Sequence, residues 1–165
     1  MRIFVTSLSF IIIGLWLNIV FNHYVQIVGL KINWILIFLL IQTFRQLNLG
    51  IAFFGILAGL ILDALSHGIM GLYGTSFFLT LLITTQIKKV FFANTFTSIS
   101  LAVFSMSIIE GLISSSILSI FEPELEISEL MLSATLPLSL LQGLITPVIL
   151  QFVIWGENLF QKDLA

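Results

Sequence analysis

One carboxylate in a long apolar run, Asp63, constrains this chain more than any other residue. It stands in the stretch Leu49 to Gly74, LGIAFFGILAGLILDALSHGIMGLYG. Gly55, Gly59 and Asp63 follow one another at four-residue intervals. On a helix that spacing stacks them a turn apart on one face. A stripe of glycines ending in a carboxylate is a poor surface to turn toward lipid. It suits close contact with another helix, because small residues let two backbones approach. Ser66, His67 and Gly68 then break the helix, and Gly68 is a candidate for the positive-φ position of a C-terminal cap. The stretch is therefore expected at the centre of the fold, with Gly55, Gly59, Asp63, His67, Gly68 and Gly71 as its packing or partner face.

The surroundings of Asp63 say what kind of protein can hold such a segment. Only 8% of the residues are charged and 59% are hydrophobic, with a mean hydropathy of +1.18. A soluble domain carries about 25% charged residues. So few cannot cover a water-facing surface, and composition points to an integral membrane protein. Six spans of about 20 residues would take up about 120 residues. That leaves loops and short tails in a chain of 165 residues, with no room for a soluble catalytic domain. The expected fold is an all-α membrane bundle of six helices in one domain, residues 1–165. Its spans are expected at about 3–21, 33–46, 49–65, 72–87, 97–121 and 130–155. The first is expected to be retained, since Asn18, Asn22 and His23 offer no small-residue cleavage site. Spans two and three fall short of the ~30 Å hydrocarbon core. They are expected to thin the bilayer or to form a shorter pair wedged among longer helices.

Basic residues orient the bundle. With six spans, Arg2, Arg45, Lys88, Lys89 and Lys162 fall on one side and Lys31 alone on the other. The positive-inside rule puts that first side, with both termini, in the cytoplasm. Arg45, Lys88 and Lys89 are then cytoplasmic anchors at anionic headgroups. The acidic segment with Glu122, Glu124, Glu126 and Glu129 lies opposite. A net charge of -2 gives no argument for nucleic acid.

Two carboxylates fall within spans. Asp63 is expected near the outer end of span three, bonded to backbone N–H groups around Gly71 to Thr75 at a helix N-terminus. Glu110 lies midway along span five, with Ser107, Gly111 and Ser114 at three- and four-residue spacing. Structurally this is a polar face for helix packing; functionally it is a solute or proton site. Gln142 and Gln151 are expected to bond between helices, and Pro137, Gly143 and Pro147 to interrupt span six. Two histidines and no cysteine argue against a structural metal. No aspartate pair, serine nucleophile segment or His/Glu set suits an intramembrane protease, so neither catalysis nor a cofactor is expected.

The segment from Trp34 to Lys89 resembles MreD, the small membrane subunit of the bacterial rod-shape system. The basic turn Arg45 and the G-x-x-x-G-x-x-x-D stripe Gly55, Gly59, Asp63 carry the resemblance. Ser66-His67-Gly68, Gly71-Leu72 and the basic cluster Lys88-Lys89 complete it. Many members open the second span with Pro-Asp, and here Ile32-Asn33 stands in that place. The resemblance implies a non-enzymatic scaffold of the cytoplasmic membrane. Such a subunit binds the bitopic protein MreC, and through it MreB, RodA, a transpeptidase and peptidoglycan synthesis. It also implies a fold similar to the substrate-binding subunits of energy-coupling-factor vitamin transporters, which supplies the alternative function. Span one has Ser7, Ser9 and Gly14 but no alanine pair four apart for docking a coupling subunit, which counts against that alternative. Self-association is left open by the sequence.

Overall fold

In the computed structural model, which describes residues 2–24, 31–45, 50–66, 69–90, 95–123 and 126–162, every regular element is helical. Side chains are described for 8–20, 31–45, 50–66, 69–88, 95–123 and 126–155. The order is α1 (Arg2–Tyr24), α2 (Trp34–Arg45), α3 (Gly50–Ser66), α4 (Leu72–Val90) and α5 (Phe96–Phe121). A short α6 (Ile127–Leu130) follows, then a π-helical turn (Met131–Thr135) and α7 (Leu136–Lys162). His67, Gly68 and Glu124 lie outside the described residues.

The helix that the others surround is α2, not α3. Every residue from Trp34 to Phe44 is buried, and α2 touches α1, α3, α4, α5 and α7. The cause is its sequence, WILIFLLIQTFR, which is apolar on almost every side. A helix apolar all round belongs inside. This corrects the expectation that Leu49–Gly74 forms the centre. It also places Trp34, 7% exposed, in the core. Asn33 starts α2 as its N-cap, accepting the Leu36 N–H on its side-chain oxygen at 3.3 Å. Asn thus supplies the cap acceptor that Asp would supply at this place.

α3 buries one face only. Ile51, Ala52, Gly55, Ala58, Gly59 and Asp63 are buried, while Phe53 and Leu57 point outward at 63% and 58% exposure. α3 and α4 form the most extensively packed pair, and α5 with α7 the next. α4 joins the two pairs by packing on α5. On the other flank, Gly14 of α1 sits over Ile35, where a Cβ would lie 3.2 Å from the Ile35 Cα. Phe10 stacks on Phe38 beside it, with ring centroids 5.7 Å apart.

Among the described residues, two helical stretches are long and apolar enough to cross a membrane, Phe96–Phe121 and Ile127–Trp155. The second includes the π turn. Pro137 lies just past that turn and has no N–H, so the ladder before it loses a donor. Local widening to i→i+5 bonding is one way a helix absorbs that loss; the Leu136 N–H bonds to the Met131 carbonyl in this manner. Pro147, by contrast, lies inside an unbroken α7, so neither it nor Gly143 interrupts the helix.

Candidate functional site: a carboxylate clamp and a divided polar interior

Asp63 is 3% exposed and ends the buried stripe of α3. Its Oδ2 accepts the N–H groups of Gly71 at 3.0 Å and Gly74 at 3.2 Å, and its Oδ1 accepts that of Tyr73 at 2.9 Å. The first N–H groups of a helix have no partner within it. The carboxylate of α3 supplies those partners to α4, where the helix dipole also favours negative charge. Gly71 makes the approach by taking φ +94, a conformation that glycine adopts without Cβ strain. The cap expected at Gly68 falls on a residue outside the described set, and Gly71 is a positive-φ glycine that the sequence reading did not single out for that conformation. Thr75 steadies the same turn, its N–H and its hydroxyl both donating to the Gly71 carbonyl, at 2.9 and 2.7 Å.

The glycines below Asp63 set how close α4 can come. A Cβ on Gly59 would lie 2.5 Å from both Cα and N of Gly74. A Cβ on Gly55 would lie 2.5 Å from the Leu81 Cδ1, the mobile end of a side chain. Backbone opposes backbone at Gly59, and Gly59 therefore sets the distance that lets Asp63 reach its three N–H groups.

The polar face around Glu110 divides between two neighbouring helices. Glu110 is 8% exposed and accepts the Ser76 hydroxyl of α4 on Oε1 at 3.2 Å. One turn earlier, the Ser107 hydroxyl donates to Gln142 Oε1 of α7 at 2.5 Å. Gly111 makes room for Thr135 of the π turn, whose Cγ2 occupies the space a Cβ would need. Ser114 turns back onto the Gly111 carbonyl at 3.1 Å. Of four residues that share one face in sequence, Glu110 therefore serves α4, Ser107 serves α7, Gly111 serves the π turn, and Ser114 bonds within α5. Gln142 bonds between helices, whereas Gln151 is exposed.

Of the basic residues, Arg45 is exposed and the side chain of Lys89 lies outside the described set. Lys88 turns inward, and its Nζ donates to the Thr43 carbonyl at 3.1 Å. That carbonyl belongs to the last turn of α2, where such groups lack partners and the dipole favours a cation. Burial holds the Lys88 ammonium below its usual pKa. Lys88 is thus a cap as well as an end marker, a role its sequence position beside Lys89 did not disclose. Ser76, Thr80 and Thr84, all fully buried, precede it at four-residue steps along α4.

Comparison with known proteins returns no matching family model, no matching curated protein and no matching solved structure. Among the described residues no three metal-ligating side chains converge.

Proposed function

We propose that this chain is a multi-pass scaffold of the bacterial cytoplasmic membrane, with both termini inside. In this reading it is an MreD-like, non-enzymatic subunit of the cell-elongation machinery. It binds the single span of an MreC-like protein and reaches MreB, RodA and the transpeptidase only through that partner. The observation that carries the proposal is where the chain places its polar groups. Asp63, Ser107, Glu110 and Gln142 are buried and hold helix to helix. The outward faces carry large apolar side chains instead, among them Trp16, Leu101, Leu144 and Phe152, each more than 60% exposed. Surfaces of that kind suit lipid or another apolar helix. A rigid α3–α4 hairpin fixed by Asp63 suits presentation of such a surface better than turnover of a substrate.

The test is affinity purification of the tagged full chain in mild detergent, with mass spectrometry of proteins and small molecules. Recovery of a single-span MreC-like protein without a stoichiometric metabolite supports the scaffold. Recovery of an ATPase-coupled transport module, or of a tightly held vitamin, replaces it with the transporter-subunit alternative. A reporter fused to the C-terminus should report cytoplasm. A periplasmic signal would require an odd number of spans and refute the topology.

A further inference from the structure

We propose that the interior between α4 and α5 binds one monovalent alkali cation of sodium size through Glu110, Ser76 and Thr80. The proposal does not rest on the Asp63 clamp, although it shares Glu110 with the polar interior on which the scaffold reading draws.

The first observation is a carboxyl group short of partners. Glu110 is 8% exposed, and the Ser76 hydroxyl is its hydrogen-bond donor. No cationic side chain among the described residues pairs with it. Lys88, on the same helix as Ser76, lies three turns further on, about 18 Å along α4, and is engaged with the Thr43 carbonyl. A buried carboxylate is stabilised by a paired charge or a metal ion, and otherwise takes up a proton.

The second observation is the geometry of Ser76. Its hydroxyl has one proton and two acceptors, Glu110 Oε1 at 3.2 Å and the Tyr73 carbonyl at 3.3 Å. Both exceed the 2.5–3.0 Å usual for an O–H···O bond, and a bond to a carboxylate should be shorter still. With the proton on the Tyr73 side, two oxygens face each other 3.2 Å apart. That separation is the edge expected of two oxygens sharing one ion at about 2.4 Å each, the distance hard oxygen ligands keep to a cation of this size.

The third observation is Thr80. It is fully buried, and its Oγ1 has no hydrogen-bond partner. It follows Ser76 by one turn on the same side of α4. A buried hydroxyl without a partner costs free energy, so such a group is expected to have something to bind. Carboxylate and hydroxyl oxygens are hard donors and select hard cations. One carboxylate balances one positive charge, which favours a monovalent over a divalent ion.

The experiment uses the full chain purified in detergent, unfolded thermally in sodium, potassium and choline chloride at equal ionic strength. The expected result is a Tm higher in sodium than in choline by about 3–5 °C once sodium reaches ten times its Kd. Thr80→Val keeps shape but removes the hydroxyl, and should weaken apparent sodium affinity several-fold. Glu110→Gln should abolish the shift. Should Glu110→Gln fail to fold, radioactive sodium binding to the unaltered chain and to Thr80→Val decides instead. Equal Tm in all three salts, no retained radioactivity, or an equal shift in the unaltered chain and both variants overturns the proposal. A proton on Glu110 or a bridging water would then complete the site.

Discussion

Asp63 Oδ1 accepts the Tyr73 N–H at 2.9 Å while its Oδ2 serves Gly71 and Gly74. Both carboxylate oxygens are therefore in use, and all the groups they meet are donors. Sequence logic makes Asp63→Asn milder than Asp63→Leu, because an amide keeps size and hydrogen bonding. The geometry narrows that gap. An amide presents one acceptor and turns its NH2 against N–H groups. Asp63→Asn is expected to destabilise by about 2–3 kcal/mol, close to the leucine variant, since lost charge-assisted bonds and orphaned donors add. Thermal unfolding of the two variants checks this. A neutral asparagine variant would show that the N–H groups find other partners.

Gly55 and Gly59 look alike in sequence but differ in what they face. The Cβ of Gly59→Ala meets the Gly74 backbone, whereas that of Gly55→Ala meets a leucine methyl that can rotate away. Gly59→Ala should cost about 1–3 kcal/mol as an overpacking change, and Gly55→Ala clearly less. Side-by-side Tm measurements decide. Equal losses would mean that α3 and α4 slide together as a unit, which backbone contact at one point does not predict.

Lys88, which lies past the span proposed for residues 72–87, offers a pH test. Burial lowers its pKa, so the unfolded chain holds this proton more tightly than the folded one. Stability should then rise with pH toward the ordinary lysine value of 10.5 and be lost as pH falls through the folded value. Lys88→Met should flatten that slope while removing the donor to the Thr43 carbonyl. An unchanged slope in the variant would assign the pH dependence to another group.

The helices were legible because apolar runs, basic clusters and breakers mark their ends. The Asp63 bond to the start of α4 was legible for a similar reason, since a buried carboxylate has few places to go. The centrality of α2 was harder to see. A twelve-residue helix looks too short to matter, yet its lack of any polar side is what drives it inside. The inward turn of Lys88 was hidden because Thr43 lies 45 residues away, and nothing local marks its carbonyl as an acceptor. The split of the Glu110 face failed for a geometric reason. Residues three and four apart share a helix face, but a face wide enough for four side chains can meet two neighbours. Ser107 reaches Gln142 while Glu110 reaches Ser76.

Gly111 and Thr135 give the last prediction, and it concerns the π turn. Thr135 projects its Cγ2 into the space beside Gly111, and a Cβ there would also lie 3.0 Å from the Thr135 Cβ and 2.9 Å from its Oγ1. Gly111→Ala should therefore push the turn away from α5 and cost about 1–3 kcal/mol. Thr135→Ala removes both γ atoms and is expected to be mild alone, since Thr135 is only partly buried. The double variant should recover much of the loss, because the alanine then meets only a Cβ. A double-mutant cycle would show coupling of about 1–2 kcal/mol. Additive losses would mean that α5 and the π turn meet less closely than this packing requires. Recovery in the double variant would mean that the widened turn before Pro137 is held in place by the missing side chain of Gly111.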